Sequence, residues 1–201
     1  MRKNVKIISD DYYYIRGLQS LFNGKRYLNV TCYYLYDLTR GGLIDIFLTS
    51  ARTMDDVVLL AVDDLNIIKE ISCMENTNVF YSIRTLCKKD MVLYYRRSLV
   101  IDRYVSLERL KRLFIKTPAI LSRTETSLSH NEESVLLDYF GLKLEQLRYL
   151  QENNERKRTS YYKRSAYQKF RVSGDGAAYP IVKVLSQIRT IGLESGSFEN
   201  L

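Results

Sequence analysis

The chain has 201 residues, a formal net charge of +8 and a sequence pI of about 9.3. Its composition is that of an ordinary globular protein, long enough for one large domain or two small ones. The positive charge favours a polyanionic partner, nucleic acid first and an anionic membrane surface second. No run approaches the roughly 18 apolar residues of a membrane span, and the first 11 residues turn acidic too early for a secretory signal. We therefore expect a cytoplasmic protein with no membrane partner.

Cysteine and histidine usage argues against a metal site or a catalytic centre. Cys32, Cys73 and Cys87 are widely spaced and odd in number, and His130 is the single histidine. This pattern supports neither a disulfide framework nor a zinc site, so each cysteine is expected to be a small buried hydrophobe. His130 is predicted at a helix start, no cysteine has an evident base, and no Gly-rich phosphate loop follows a strand. We expect no enzyme activity and no cofactor.

The first half of the chain alternates strand-like with helix-like segments. Strands are predicted at 5–9, 28–36, 56–62, 79–83 and 98–101, and helices at 14–22, 38–50, 65–74 and 107–115. Segment 86–91 is predicted as a short helical or irregular piece. The run DVVLLAV at 56–62 is typical of a strand covered on both faces. The alternation predicts an α/β fold, a doubly wound sheet of about five parallel strands with any site at their carboxyl ends.

The order of these elements and their opening motif resemble a response-regulator receiver domain over residues 3–116. In ISDDYYYIRGLQSLF, Asp10 and Asp11 follow the first strand as that family's metal-binding acid pair does. Two positions depart from the family, because Ala61 replaces the phosphoacceptor aspartate and Asp102 replaces an invariant lysine. Phosphoryl transfer to a carboxylate needs the nucleophile, a held Mg²⁺ and a balancing cation. These two losses lead to the hypothesis of a receiver-like domain that pairs with another protein instead of sensing phosphate.

The residues around this region leave two alternatives open. Asp63 or Asp64 could accept phosphate in place of the missing aspartate, two or three residues further along. The acid pair itself could be no more than a solvated turn and helix start. The interpretation that we test is a degenerate receiver pocket formed by Asp10, Asp11, Ala61 and Asp102.

A proline-containing, hydroxyl-rich segment separates the two halves. KTPAILSRTETSLS at 116–129 has little apolar periodicity and is predicted as a linker. Ser129 and Glu132 have capping-box spacing, which predicts a helix over 131–140. Further helices are predicted at 142–151, 156–172 and 179–191, with a turn at 152–154 and a loop at 173–178. The predicted organisation is a receiver-like domain at 1–116, a linker at 117–127 and a helix-turn-helix domain at 128–201.

The segment RKRTSYYKRSAYQKFRV at 156–172 carries seven basic residues and no acidic one. On a helix, its packing stripe is Thr159, Tyr162, Ala166 and Phe170, and its opposite face is Lys157, Ser160, Tyr161, Arg164 and Gln168. A basic amphipathic helix is either a solvated, membrane-surface or partner-binding helix, or one that binds nucleic acid. The mixture of cations with Ser, Tyr and Gln, behind a shorter helix and a turn, favours nucleic acid.

Residues 125–190 resemble the LuxR/FixJ-type helix-turn-helix domain. LSHNEESVL matches the opening pattern of that family, and TSYYKRSAYQKFRV matches its recognition helix and exit. The departures are QLR at 146–148 in place of an E-I-A motif, a one-residue length change before the recognition helix, and Arg171 in place of a glycine. On this model Lys157, Ser160, Tyr161 and Arg164 approach the major groove, with Gln168 on the same face, and Arg158, Lys163, Lys169 and Arg171 are placed for phosphates.

Together the two halves resemble the RcsA/BglJ-type auxiliary regulators. That resemblance implies a transcription regulator that binds double-stranded DNA as a homodimer or as a heterodimer with an RcsB-like response regulator. The stripe of the last predicted helix, Ile181, Val184, Leu185, Ile188 and Ile191, is either core or in part a dimer surface. The rival hypothesis is an interaction module that sequesters another regulator without reading DNA, because the 17 tyrosines suit an interaction surface.

Overall fold

The computed structural model describes residues 2–51, 56–74, 78–85, 90–116, 118–142 and 155–188. The described strands are β1 Lys3–Ser9, β2 Leu28–Tyr34, β3 Val57–Ala61, β4 Asn78–Ile83, β5 Val92–Tyr95, β6 Ser98–Asp102 and β7 Thr126–Ser127. The described α-helices are α1 Tyr12–Phe22, α2 Arg40–Ala51, α3 Leu65–Ser72, α4 Leu107–Ile115, α5 Pro118–Thr124, α6 His130–Tyr139, α7 Glu155–Phe170 and α8 Asp175–Gln187. A short 3-10 helix, Leu35–Asp37, follows β2.

One sheet contains all the described strands, in the order β2-β1-β3-β4-β6-β5-β7. β1, β2, β3, β4 and β6 are mutually parallel, and β5 runs antiparallel to β6. An α/β fold with a mostly parallel sheet is therefore confirmed. The five parallel strands are the five that the sequence predicts, and β5 and β7 extend the sheet beyond them.

Helices cover both faces of the sheet, as the doubly wound prediction requires. Ile7 and Ile8 are neighbours in β1, both fully buried, and they belong to opposite cores. The Ile7 core contains buried residues of α1, α4 and α5, and the Ile8 core contains those of α2 and α3. Adjacent strand residues point to opposite faces, so an apolar run such as VVLLA in β3 can fill both cores at once.

The strand missed by the sequence interpretation, β5, is joined to β6 by the two-residue turn Arg96-Arg97. Both residues have positive φ, 47° and 68°, which is the conformation that hairpin turns usually fill with Asn and Gly. Two arginines are not a turn signal, so the hairpin could not be predicted from local sequence. The turn is fixed by tertiary contacts instead. Arg96 forms an ion pair with Glu133 of α6 and donates to the carbonyl of Ile188 at 2.9 Å.

The segment predicted as a linker forms regular structure. α5 buries Leu121 in the same core as α4, and β7 pairs with β5 through Thr126 and Ser127. Leu121 accounts for this, because its side chain is buried in the core beside α4, whereas Ala119 and Ile120 are exposed. The division into domains at 1–116, 117–127 and 128–201 stays a prediction.

The C-terminal half contains α6, α7 and α8 in the described residues. α6 begins at His130 with the predicted capping box, in which Ser129 and Glu132 bond each other's backbone N–H. The predicted helix at 142–151 and turn at 152–154 lie almost entirely outside the described residues, so the helix-turn-helix arrangement stays a prediction. α8 starts four residues before the predicted helix, and Asp175 in its first turn favours this start through the helix dipole.

The apolar stripe of α8 is buried within the chain. Ile181, Val184, Leu185 and Ile188 are each at most 6% exposed, and α8 packs against α3. Ser72 at the end of α3 donates to the carbonyl of Gln187 at 2.8 Å. Of the two readings of this stripe, the core reading is confirmed for the described residues, whereas Ile191 lies outside them.

The cysteine expectation is wrong at two positions. Cys73 is exposed, because it lies at the C-cap of α3, and Cys32 in the edge strand β2 is only half-buried. Cys87 lies outside the described residues. Among the helices described here, none is long and apolar enough to cross a membrane.

Helix α7 ends with Arg171 in the left-handed conformation, at φ 59°. The N–H of Arg171 donates to Gln168 and that of Val172 to Tyr167, which together form a Schellman motif. A β-carbon in this conformation costs about 1–2 kcal/mol. We expect Arg171→Gly to raise the free energy of unfolding by about 0.5–1 kcal/mol in urea denaturation. The gain is smaller than the full cost of the β-carbon, because glycine also increases the conformational entropy of the unfolded chain.

A matched control is provided by α6, which ends in the same motif with Gly141 at φ 67°. Gly141→Ala is expected to lower the free energy of unfolding by about 1 kcal/mol, because it introduces the β-carbon that Arg171→Gly removes. Destabilisation by Arg171→Gly would show that the arginine side chain makes contacts worth more than the backbone strain.

Candidate functional site

Charged residues converge at the carboxyl ends of the parallel strands. Asp10 and Asp11 follow β1, Asp63 follows β3, Arg84 follows β4 and Arg103 follows β6. Because the carboxyl ends of parallel strands meet at one edge of a sheet, these five side chains lie together. We call Asp10, Asp63 and Arg103 the arginine site.

The guanidinium of Arg103 is the centre of this group. Its side chain is only 2% exposed, and it lies 3.0 Å from an oxygen of Asp63 and 3.5 Å from one of Asp10. It also donates to the carbonyl of Ser82 at 3.4 Å and lies over the ring of Tyr14. Its Nε is buried without a hydrogen-bond partner among the described residues. The site therefore contains a built-in cation between two acids.

The two positions that depart from the receiver pattern have different surroundings. Ala61 is fully buried, and its carbonyl accepts a hydrogen bond from the hydroxyl of Ser9 at 2.8 Å. Its side chain is a methyl group and offers no nucleophile. Asp102 is also buried, but its carboxylate accepts from the N–H of Tyr104 at 3.1 Å, and burial raises its pKa. The cation after β6 comes one residue later, from Arg103. The sequence interpretation missed it by considering position 102 alone.

The acid pair has two distinct roles. Asp11 caps α1, because its carboxylate accepts from the N–H of Tyr14 at 3.0 Å, as the helix-start reading expects. Asp10 is largely buried, since its side chain is only 15% exposed, and its carboxylate accepts from the N–H of Asp63 at 2.8 Å. Asp10 therefore bridges the ends of β1 and β3.

Of the two substitute phosphoacceptors, only Asp63 belongs to this cluster. Asp64 caps α3 by accepting from the N–H of Asn66 at 2.8 Å. The Asp63 side chain is 49% exposed and lies 3.5 Å from Arg84 and 3.0 Å from Arg103. Within the described parts of the chain, no group of three or more acidic, histidine or cysteine side chains is arranged to hold a metal. Arginines, not a metal cluster, surround these carboxylates.

A second candidate site lies on α7. Its packing side is buried as predicted, with Ala166 and Phe170 fully buried and Thr159 and Tyr162 partly covered. The opposite side borders an open depression of about 540 Å³. We call the predicted residues that line it the open face: Lys157, Ser160, Tyr161, Arg164 and Gln168.

The open face combines charge with hydrogen-bonding groups. Arg164 is exposed and donates to the hydroxyl of Ser160 at 3.1 Å, one helical turn away. Tyr161 is 68% exposed, with its ring edge-on to Tyr162. No acidic side chain lines this depression in the described part of the chain. The face can therefore bind an anion with both a guanidinium and neutral donors.

Two lysines that the sequence assigns to phosphates make contacts within the chain. The ammonium of Lys163 lies 3.8 Å from the ring centre of Tyr139 and 3.3 Å from Asp175. That of Lys169 lies 2.6 Å from the buried Glu132. Both contacts fasten α7 to its neighbours. Arg158 and Arg171 are exposed, and the guanidinium of Arg158 lies over the ring of Tyr162.

Comparison with known proteins gives a single weak similarity to report. No protein-family model matches the chain, and no curated protein matches it. A solved structure of two RcsB dimers bound to two parallel DNAs is 18% identical, over 92% of this chain and 99% of that one, with a TM-score of 0.37. At this identity and TM-score the similarity does not establish a shared fold or function.

Proposed function

We propose that this chain is a sequence-specific DNA-binding transcription regulator in which α7 enters the major groove. The observation that carries the proposal is the open face, which is basic, exposed and free of acidic neighbours in the described residues. Phosphates attract such a face whatever the sequence, and the side chains of Ser160, Tyr161 and Gln168 add donors and acceptors for base edges. The net charge of +8 acts in the same direction.

Within the open face, Arg164 is the residue that we assign to a guanine. Its forked donors suit the O6 and N7 atoms together, and its exposed position leaves them accessible. Arg158 and Arg171 are assigned to phosphates, because they are exposed at the flanks of the face. Lys163 and Lys169 are assigned to positioning α7, since their ammonium groups already contact Asp175 and Glu132.

The proposed regulator works without phosphorylation of its first half. Ala61 supplies no carboxylate, and Arg103 already provides the positive charge between Asp10 and Asp63 that a metal or a lysine would otherwise supply. Incubation with acetyl phosphate or phosphoramidate and Mg²⁺, followed by intact-protein mass spectrometry, tests this point. A stoichiometric adduct that disappears in Asp63→Asn would contradict it and assign the phosphoacceptor to Asp63.

The partners that we propose are double-stranded DNA and a second regulator subunit. The second subunit is either another copy of this chain or an RcsB-like response regulator. Binding assays on genomic DNA fragments, with and without a candidate response regulator, distinguish these two forms. A partner requirement for selective binding would make the chain an auxiliary regulator.

Arg164→Ala is expected to weaken binding to the preferred DNA sequence by about 1–3 kcal/mol and to relax the preference at one base pair. Binding to random competitor should fall much less. Fluorescence anisotropy at several salt concentrations measures both effects. To remove two charges of α7 at once, Lys157 and Arg164 should be replaced together. A double variant of Lys163 and Arg164 is less suitable, because replacing Lys163 would also disturb its contacts with Tyr139 and Asp175.

Arg112→Ala is the matched control for that experiment. Arg112 is exposed on α4, outside α7, and its replacement removes the same charge. Both variants should lower nonspecific attraction slightly, whereas Arg164→Ala alone should change sequence preference. Equal effects of the two variants would remove the assignment of Arg164 to a base.

The second candidate function is an interaction module that does not read DNA. Exposed tyrosines favour it, since Tyr13, Tyr36 and Tyr104 are 86%, 73% and 72% exposed at the carboxyl end of the sheet. Tyrosine is enriched at protein interfaces. Tight binding to a response regulator without selective DNA binding in any combination would favour this function.

A further inference from the structure

The edge strand β2 lacks the sequence features that usually protect a sheet edge. It is seven residues long, and its sequence LNVTCYY contains no charge, proline or glycine. Among the described residues it pairs only with β1, and Asn29 and Thr31 are exposed. Exposed edges are normally short, charged, bulged or interrupted by proline. The opposite edge, β7, follows this rule because it has only two residues.

We propose that β2 pairs antiparallel with the β2 of a second copy of this chain, about a two-fold axis at Thr31. In this register Leu28 lies opposite Tyr34, and Val30 opposite Cys32 of the second copy. All seven residues of each strand are used, a contact about 20 Å long. The other outward N–H and C=O groups then pair, whereas the N–H of Leu28 already donates to the carbonyl of Lys25 at 3.3 Å, and the two sheets become continuous across the dimer.

Charge at the two ends of β2 identifies a second copy as the occupant. Lys25 and Arg26 precede the strand, Tyr36 and Asp37 follow it, and all four are exposed. An antiparallel pair brings the start of one strand beside the end of the other. The basic end of each copy therefore meets the acidic and aromatic end of its partner, and this match occurs twice. A parallel pair would place like charges together, so the edge is self-complementary in one direction only.

Cross-linking at the two-fold axis tests the register. Thr31→Cys, in a chain with Cys32, Cys73 and Cys87 replaced by serine, places two thiols opposite each other. A short bis-maleimide is expected to convert most of this variant to a covalent dimer at micromolar concentration. Ser122→Cys, exposed on α5 in the same background, should cross-link at least tenfold less. Equal cross-linking of the two variants would overturn the proposal.

Charge reversal tests the ends of the strand. In this register Lys25 lies opposite Asp37 of the second copy, so Lys25→Glu is expected to raise the dimer dissociation constant about tenfold in sedimentation equilibrium, because two attractive contacts become repulsive. Lys25→Glu combined with Asp37→Lys should restore it to within about threefold, since the opposite charges are then exchanged. If the double variant keeps its circular dichroism spectrum but its dissociation constant stays raised, the proposal is overturned. A wild-type chain that stays monomeric would overturn it as well.

The cross-linking and sedimentation experiments are carried out without DNA, and the proposed dimer does not rest on DNA binding. A monomer that still binds DNA selectively would refute the β2 dimer alone. A β2 dimer without selective DNA binding would refute the proposed function alone.

Discussion

Arg103→Ala is expected to lower the free energy of unfolding by about 2–4 kcal/mol. The Arg103 side chain is 2% exposed, and Asp10, one of its two acidic partners, is 15% exposed. Removing the guanidinium leaves the largely buried Asp10 and the half-exposed Asp63 as like charges joined through one backbone hydrogen bond. The loss should be less than for a fully buried ion pair, because Asp63 is 49% exposed and water can screen it. Urea denaturation followed by circular dichroism measures the effect.

Arg84→Ala is the matched control for this prediction. Arg84 lies 3.5 Å from both Asp11 and Asp63, but its side chain is 51% exposed. Its removal should change stability by no more than about 0.5 kcal/mol, as for other surface pairs. Asp10→Asn in the Arg103→Ala background should recover part of the loss by removing one stranded charge. An equal effect of the two arginine variants would show that Arg103 is not the charge that holds the strand ends together.

Glu132→Ala is expected to destabilise the C-terminal half by about 2–4 kcal/mol. This carboxylate is 3% exposed and accepts hydrogen bonds from the ammonium of Lys169, the hydroxyl of Ser165 and the N–H of Ser129, each at 2.6 Å. It therefore joins the start of α6 to the end of α7. Truncation leaves three donors without their acceptor. A double-mutant cycle with Lys169→Ala should show a coupling energy of at least about 1 kcal/mol.

The same residue makes stability depend on pH. Burial alone would raise the pKa of Glu132, but the hydrogen bonds from Lys169, Ser165 and Ser129 hold it below its ordinary value. A carboxylate with a lowered pKa in the folded state contributes its full stabilisation above the unfolded value of about 4.3 and loses it as the pH falls through the folded value. The stability difference between wild type and Glu132→Gln should therefore be constant near pH 7 and shrink below about pH 4.

Glu108→Ala provides the control for both measurements. Glu108 also pairs with a lysine, Lys111, but its side chain is 72% exposed. This variant should leave the denaturation midpoint almost unchanged at pH 7 and below. A flat difference between wild type and Glu132→Gln from pH 7 to pH 3 would show that Glu132 acts by shape and not by charge.

The sequence correctly predicted those structural features that depend on residues close together in the chain. Apolar runs of the right length predicted the five parallel strands, and the spacing of Ser129 and Glu132 predicted the start of α6. The helical period predicted which side of α7 is buried and which is open. These features depend on residues within one or two turns of each other. Burial of a face follows from that period whatever the neighbouring element is.

The features that only the tertiary structure decided depend on residues far apart in the chain. The hairpin of β5 and β6 has arginines in its turn and is fixed by Glu133 and Ile188. Lys163 and Lys169 look like exposed cations in the sequence, but the fold places Asp175 and Glu132 beside them.

The arginine site also combines features that the sequence predicts with features that only the tertiary structure decides. The resemblance to a receiver domain predicted acids at the strand ends, because those positions follow directly from the strand pattern. It could not find Arg103, since a one-residue shift after β6 decides whether Asp102 or Arg103 faces Asp10 and Asp63. Local spacing thus determined the strands, the helix faces and the position of the acids. Long-range packing decided which charges meet, because a side chain's partner is set by the elements that the fold brings beside it.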